Sequence, residues 1–142
     1  MIKGSSKKVI GVLLAGGLAR RMGGGDKCLR ILAGRPLLDR LIDVVKPQVD
    51  IMILNANGDA TRFASYGLPV VADVIEGYAG PLAGVLTGLE WAAENIPDAA
   101  WVASLATDAP FLPGDLVARM ISAVKSEGAD LACAASVGRM HP

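Results

Sequence analysis

The sequence has few residues of the types on which several protein classes depend. Its two cysteines, Cys28 and Cys133, are too few for a disulfide framework and fit a reducing compartment, so we expect a cytoplasmic protein. The single histidine, His141, argues against a histidine-based metal cluster and against a buried catalytic triad. No stretch is long enough to span a membrane, so no membrane partner is expected.

Net charge is absent as well. Lysine plus arginine and aspartate plus glutamate each number 14, which gives a formal net charge of zero. That balance argues against a protein that grips nucleic acid through bulk electrostatics. Hydrophobic residues make up 52% of the chain and charged residues 20%, as is typical of a globular protein. We interpret residues 1–142 as a single domain, long enough to bury a core.

Apolar runs along the chain predict buried strands at Val9–Leu14, Val49–Leu54, Leu68–Ala72, Trp101–Ala106 and Leu131–Ala135. The last run would place Cys133 in the core, and the tail from Ser136 onward shows no evident order. The first run follows several lysines, an arrangement that also occurs in secretory signals. Its short length and the Arg20-Arg21 pair that follows it favour a strand.

Helical spacing of apolar residues separates these runs. It predicts helices from Pro36 to Pro47, from Pro81 to Ile96, and from Gly114 or Asp115 to Gly128. The residues that we expect to face inward are, in the first helix, Leu37, Leu38, Leu41, Ile42 and Val45 and, in the second, Leu82, Val85, Leu86, Leu89 and Ala93. Alternating strands and helices are typical of βαβ units. The predicted fold class is therefore α/β, a three-layer α/β/α arrangement around a Rossmann-like, mostly parallel sheet.

The loop after the first strand is rich in glycine and basic residues. Gly16 and Gly17 would let backbone N–H groups approach phosphate oxygens, because no Cβ stands in the way. Arg20, Arg21 and Lys27 could add charge-assisted bonds to phosphate. The loop matches neither the Walker P-loop nor the G-x-G-x-x-G fingerprint. A solvated surface loop is the alternative interpretation.

Polar residues also follow the second, third and fourth predicted strands. Asn55, Asp73 and Asp108 each stand near the carboxyl end of a strand, the edge where ligands bind in open parallel sheets. Asp108 could ligate Mg²⁺ together with waters and phosphates, or could simply form the turn before Pro110. Asp73 could accept hydrogen bonds from a base or ribose, or cap a turn. Asn55 could donate and accept, or be an ordinary turn residue.

The exact order of residues in these segments is a more specific signal of function than their composition. Residues 14–27 read LAGGLARRMGGGDK, and GRPL at 34–37, NAN at 55–57, GPLAG at 80–84 and TDAP at 107–110 follow in order. Together they resemble the signature of the molybdenum cofactor guanylyltransferases, a branch of the nucleotidyltransferases with a Rossmann-like fold. The resemblance runs from residue 9 to the end of the chain. Ala15-Gly16-Gly17, where the wider superfamily usually has Ala-Ala-Gly, favours the guanylyl branch over the cytidylyl branch.

The resemblance implies roles for particular positions. Those implied to bind the guanine nucleotide are Leu14, Ala15, Gly16, Gly17, Lys27, Asn55, Asp73 and Asp108. Leu14, Ala15 and Gly16 would act through their backbone, and Asn55 and Asp73 would hold the nucleoside. Lys27, Arg21 and Asp108 are the implied catalytic residues, with Lys27 on the phosphates, Arg21 on pyrophosphate and Asp108 on Mg²⁺.

The reaction that the resemblance implies is transfer of GMP from GTP to molybdopterin. The terminal phosphate of molybdopterin would attack the α-phosphate of GTP, and pyrophosphate would leave. Alternatives are a cytidylyl- or sugar-phosphate nucleotidyltransferase and a GTP-binding module without catalysis. The expected partners are GTP, molybdopterin and proteins of molybdenum cofactor biosynthesis and molybdoenzyme maturation, and we expect a monomer.

Two features depart from the family pattern. Cys28 stands where such sequences usually have glycine; Lys27 could lower its pKa, but we interpret it as a small residue tolerated at that spot. Family members continue for several dozen residues beyond the part that matches 138–142, and that continuation receives the pterin. We therefore expect this chain to be the N-terminal, nucleotide-binding part of the family fold.

Overall fold

The computed structural model describes residues 7–15, 26–77, 80–109, 111–136 and 139–141. Its strands and α-helices are, in chain order, β1 (Lys8–Leu14), β2 (Ile31–Leu32), β3 (Arg35–Pro36), α1 (Leu37–Val45), β4 (Ile51–Asn55), β5 (Val70–Val71), α2 (Pro81–Asn95), β6 (Ala99–Ala106), α3 (Leu116–Glu127), β7 (Ala134–Ser136) and β8 (Arg139–His141). Short 3₁₀ helices lie at Lys27–Leu29, Lys46–Gln48 and Ala60–Tyr66.

The main sheet is parallel throughout, with the strand order β5-β4-β1-β6. β1 lies between β4 and β6, and Val9 to Leu13 are buried because helices cover both faces of the sheet. Its side chains alternate between two core clusters, with Leu13 on one face and Ile10 and Val12 on the other. The predicted three-layer α/β fold class is confirmed.

Large side chains fill the first face of the sheet. Leu38, Leu41 and Val45 of α1 are buried against it, as the helical spacing predicted, and Phe63 of the 3₁₀ helix Ala60–Tyr66 joins them. Leu116 of α3 packs on the same cluster. The helix α1 begins directly after Pro36, which fits the proline preference at this end of a helix.

On the second face of the sheet, Ile10, Val12 and Ile53 are covered by small side chains of α2. The buried residues of this helix are Ala83, Gly84, Thr87, Gly88 and Ala92. The predicted inward face is wrong, since Leu82 and Leu89 are 72% and 49% exposed and Ala93 is exposed, while Val85 and Leu86 are half-buried. The reason is the close approach of helix and sheet. A Cβ on Gly88 would lie only 2.5 Å from Val12 Cγ2, so only small residues fit at the contact.

The C-terminal part of the described chain also differs from the prediction. The predicted strand Leu131–Ala135 is replaced by β7, which pairs antiparallel with β8 and not with the main sheet. Leu131 is 73% exposed and Cys133 is exposed, so neither belongs to the core. The tail, for which no order was predicted, contains β8 because its backbone pairs locally with β7.

A second short hairpin completes the fold. β2 and β3 form an antiparallel hairpin, and Arg40 of α1 donates to the carbonyls of Leu32 and Ala33 at its turn. Ala33 has φ +49° there, beside Gly34 at φ +79°, as a tight hairpin turn requires.

Among the helices in the described ranges, none is long and apolar enough to cross a membrane.

Candidate functional site

The strand register brings the predicted polar residues to one edge of the sheet. Leu14 lies opposite Asn55 of β4 and Ala106 of β6, and Asn55 lies opposite Val71 of β5. The carboxyl ends of all four strands therefore end level with one another. Ala15 N–H donates to the Asn55 carbonyl at 2.8 Å, which extends the ladder one residue into the glycine-rich loop. We call this edge the carboxyl rim.

A network of amides and a carboxylate forms one half of the carboxyl rim. Asn55 Nδ2 donates to Asp73 Oδ1 at 2.9 Å, and Asn57 Nδ2 donates to Asp73 Oδ2 at the same distance. Asn57 Oδ1 in turn accepts from the backbone N–H of Asp73 at 2.8 Å. Each carboxylate oxygen of Asp73 keeps a further acceptor site. The half-buried carboxylate is thus held in one orientation and can still accept a donor from a ligand.

The helix α2 supports this network from below. Asn55 is 3% exposed, and its carboxamide lies where a Cβ on Gly84 would overlap Oδ1. The same Cβ would lie 2.7 Å from Leu14 Cδ2. Thr87 Oγ1, which is fully buried, donates to the Ala83 carbonyl and accepts from the backbone N–H of Val74 at 3.0 Å. The helix therefore fixes both Asn55 and the chain that follows Asp73.

The end of the glycine-rich loop lies against the other half of the carboxyl rim, where the side chain of Cys28 contacts that of Thr107 just beyond β6. Lys27 is exposed at the start of a 3₁₀ turn, and the next residue, Cys28, is 1% exposed in the core. Burial, and then the charge of Asp26, raises the pKa of the Cys28 thiol to about 11. The thiol is therefore not activated by its lysine neighbour, and the interpretation of Cys28 as a small packing residue is supported.

Arg62 pairs with the residue that precedes Lys27. Its Nε donates to Asp26 Oδ2 at 2.7 Å and its Nη2 to Asp26 Oδ1 at 3.3 Å. This is a two-point contact between a guanidinium and a carboxylate, and the Asp26 side chain is 9% exposed. This contact could not be predicted from the sequence, because the two residues are 36 positions apart and neither a periodic pattern nor a motif relates them.

Asp108 is exposed and lies two residues beyond the end of β6. The preceding residue, Thr107, is 6% exposed, and its Oγ1 donates to the Leu14 carbonyl at 2.8 Å, which ties the two strand ends together. Within the described ranges, the Asp108 carboxylate has no hydrogen-bond or ion-pair partner. In the same ranges no group of three His, Cys, Asp or Glu side chains could hold a metal ion.

The predicted site residues thus divide into two groups. Leu14, Ala15, Lys27, Asn55, Asp73 and Asp108 all lie at or beside strand ends of the carboxyl rim. Gly16, Gly17 and Arg21 lie outside the described residues. Asp26, Asn57, Thr87 and Arg62 were not singled out as site residues, since each acts through a contact that only the folded chain creates.

The fold and its relatives define the class of the protein. The fold is that of the nucleotidyltransferase-type α/β proteins. The model of the MobA-like NTP transferase domain matches residues 11–142, and the chain belongs to this family.

Named relatives agree with the family. The chain is 60% identical over 131 residues to a molybdenum cofactor guanylyltransferase of Rhodopseudomonas palustris (strain BisB5), covering 92% of this chain and 62% of the relative. It is 56% identical over 142 residues to the protein of that name from Bradyrhizobium sp. (strain ORS 278), covering all of this chain and 67% of the relative. The chain thus spans about two thirds of the length of these relatives.

A solved structure has the same fold. Molybdopterin-guanine dinucleotide biosynthesis protein A from Archaeoglobus fulgidus is similar with a TM-score of 0.64. The similarity covers 94% of this chain and 64% of that chain, at 19% sequence identity. At this identity the likeness bears on the fold alone.

Proposed function

We propose that this chain is the nucleotide-binding part of a molybdenum cofactor guanylyltransferase, which transfers GMP from GTP to molybdopterin and releases pyrophosphate. Identities of 60% and 56% to proteins of that name support the proposal. The observation that carries it is the carboxyl rim, where the ends of four parallel strands meet in register. The free thiols of Cys28 and Cys133 fit a reducing compartment, and we propose the cytoplasm.

The nucleoside would lie over the half of the rim that holds Asn55 and Asp73. The free acceptor sites of the Asp73 carboxylate suit the N–H donors of guanine or the hydroxyls of ribose. Amide donors from Asn55 and Asn57 hold that carboxylate, so it need not reorganise when a ligand binds. The backbone of Leu14, Ala15, Gly16 and Gly17 would contact the nucleotide.

The phosphates would lie between the glycine-rich loop and the end of β6. Lys27, which is exposed beside the rim, would donate to phosphate oxygens, and Arg21 would contact the departing pyrophosphate. The terminal phosphate of molybdopterin attacks the α-phosphorus, the bond to the bridging oxygen breaks, and pyrophosphate carries that electron pair away. The work of these side chains is alignment of the reacting groups and neutralisation of charge.

A magnesium ion fits the carboxylate found at the rim. Mg²⁺ in nucleotide sites takes one or two protein carboxylates and completes its octahedron with phosphates and water. The exposed Asp108 carboxylate has no competing partner within the described ranges, and its backbone is anchored through Thr107. Asp108 would hold the ion, which when bound neutralises charge on the phosphates of GTP.

Nucleotide selectivity tests the proposal. Affinity of the purified chain for GTP, CTP and ATP would be measured by calorimetry with and without Mg²⁺, in the parent chain, Asp108→Asn, and the control Asp130→Asn, an exposed carboxylate beyond α3. We expect GTP to bind most tightly. Removal of Mg²⁺ or Asp108→Asn should weaken GTP binding about tenfold, or about 1.4 kcal/mol, and Asp130→Asn should not.

The outcomes separate the alternatives. A preference for CTP would contradict the guanylyl assignment, and metal-dependent affinity that survives in Asp108→Asn would contradict the metal assignment. Incubation of a protein that spans the full length of the relatives with Mg²⁺, GTP and molybdopterin would then report turnover by pyrophosphate release. Tight Mg·GTP binding with no pyrophosphate release would favour the GTP-binding module over the transferase.

A further inference from the structure

The guanidinium of Arg62 occupies a central position between the two halves of the carboxyl rim. Besides its two-point contact with Asp26, it donates through Nη2 to the Asn57 carbonyl at 2.6 Å and through Nη1 to the Asp59 carbonyl. Its Cζ lies 4.5 Å from the centroid of the buried Phe63 ring. Four of its five N–H donors thus point at protein acceptors, and its face rests on an aromatic ring.

These contacts join segments that are distant in the sequence. On one side, Asp26 directly precedes Lys27 at the end of the glycine-rich loop. On the other, the Asn57 side chain orients Asp73. Asp26 makes no side-chain cap to its own 3₁₀ turn, so within the described ranges its carboxylate is directed to Arg62. Arg62 is therefore the side chain that connects the lysine turn to the Asn57 segment.

Charge gives a second reason for this pairing. The Asp26 side chain is 9% exposed, and a carboxylate beside Lys27 would repel phosphates if it were not neutralised. Arg62 supplies the opposite charge at hydrogen-bond distance and fixes the turn at the same time. A lysine could supply the charge but not the planar two-point contact.

We propose that Arg62 is a positioning residue of the nucleotide site, which holds the Asp26–Lys27 turn so that Lys27 faces the phosphates. The inference rests on the proposed function, because it assumes that GTP binds at the carboxyl rim. In this proposal Arg62 acts through Asp26 and not through the nucleotide, since four of its five donors are engaged within the protein. Its loss should weaken binding of the triphosphate more than binding of a ligand with one phosphate.

The test compares GTP with GMP. Dissociation constants of both, with Mg²⁺ present, would be measured for the parent chain, Arg62→Ala, Arg62→Lys and Asp26→Asn. We expect the preference for GTP over GMP to fall about tenfold in Arg62→Ala and to recover only in part in Arg62→Lys. The double variant Asp26→Asn/Arg62→Ala should lose less than the sum of the single changes, because the two residues act as a pair. A merely structural role would lower the melting temperature and leave the ratio of the two affinities unchanged.

Arg35→Ala is the matched control. Arg35 of β3 also pairs with a carboxylate, Asp43 of α1, at 2.9 Å, but the two side chains are 48% and 62% exposed. Arg35→Ala should change neither the ratio of the GTP and GMP affinities nor the melting temperature measurably. If the parent chain binds GTP and the ratio is unchanged in Arg62→Ala and Arg62→Lys, the assignment of Arg62 is wrong while the proposed function stands. If the parent chain binds neither nucleotide, the proposed function fails and the role of Arg62 fails with it.

Discussion

The two faces of the central sheet are packed in different ways. Beneath α1, the buried contacts are made by leucines, a valine and the ring of Phe63. Beneath α2, the buried residues of the helix are alanine, glycine and threonine, which cover Ile10, Val12 and Ile53 of the sheet, whereas Leu82 and Leu89 turn outward. Both helices pack on the same sheet, so the difference lies in how closely each helix approaches it. Small residues let α2 come close enough to shape the floor of the carboxyl rim through Gly84 and Thr87.

This contrast assigns different tasks to the two faces. The face under α1 supplies most of the large apolar side chains and hence much of the hydrophobic stabilisation. The face under α2 supplies less apolar volume but holds Asn55 and Val74 in place. Substitutions should accordingly affect mainly stability on the first face, and both stability and nucleotide binding on the second.

The largest effect should come from the first face. Leu41→Ala removes a fully buried side chain and leaves a cavity, so the free energy of unfolding should fall by about 3 kcal/mol. Leu82→Ala is the matched control on α2, since Leu82 was predicted to be buried and is 72% exposed. It should change stability by less than about 0.5 kcal/mol. Equal losses in the free energy of unfolding of the two variants, measured by urea denaturation, would contradict the contrast between the faces.

The second prediction concerns the close approach of α2. Gly88→Ala and Gly84→Ala each add a Cβ where buried atoms already lie, so each should cost roughly 1–3 kcal/mol despite the better helix propensity of alanine. Only Gly84→Ala displaces Asn55, so only it should weaken GTP binding in protein that remains folded. Gly114→Ala, where a Cβ would meet nothing within 4 Å, serves as the control. Equal GTP affinities in Gly84→Ala and Gly88→Ala would argue against the support of Asn55 by α2.

The smallest effect is expected for chemical labelling of Cys28, a residue of the first face. Cys28 is buried with a pKa raised to about 11, so roughly one thiol in 10⁴ is ionised at pH 7. A thiol reagent should label the exposed Cys133 rapidly and leave Cys28 unmodified until the protein unfolds. Mass spectrometry of the labelled peptides reports both rates. Rapid labelling of Cys28 in folded protein would show that this face opens more readily than its packing implies.

The same contrast explains what the sequence could predict. Leu38, Leu41 and Val45 of α1 were correctly predicted to be buried, because large apolar side chains at helical spacing mark a buried face directly. The inward face of α2 was predicted wrongly, because the same rule selects leucines whereas the close contact selects glycines. Hydrophobic periodicity measures which residues avoid water, and it does not measure how near two elements lie.

The site divides along similar lines. Asn55, Asp73 and Asp108 could be placed at strand ends from the sequence, because parallel strands carry their carboxyl ends to one edge. The contact of Arg62 with Asp26 could not, since it depends on how the 3₁₀ helix Ala60–Tyr66 folds back on the chain. The pairing of β7 with β8 was missed for a related reason, since short strands with little apolar pattern are fixed by their partner.

The roles proposed for the site residues all depend on the binding of guanine nucleotide at the carboxyl rim. Titration of Mg·GTP into isotope-labelled chain, followed through backbone amide chemical shifts, tests it most directly. We expect the largest shifts at Ala15, at Asn55 to Asn57, and at Asp73 and Asp108, with little change at Asp50 and Ala99, which lie toward the opposite end of the sheet. Shifts concentrated at that opposite end, or none at saturating Mg·GTP, would contradict it.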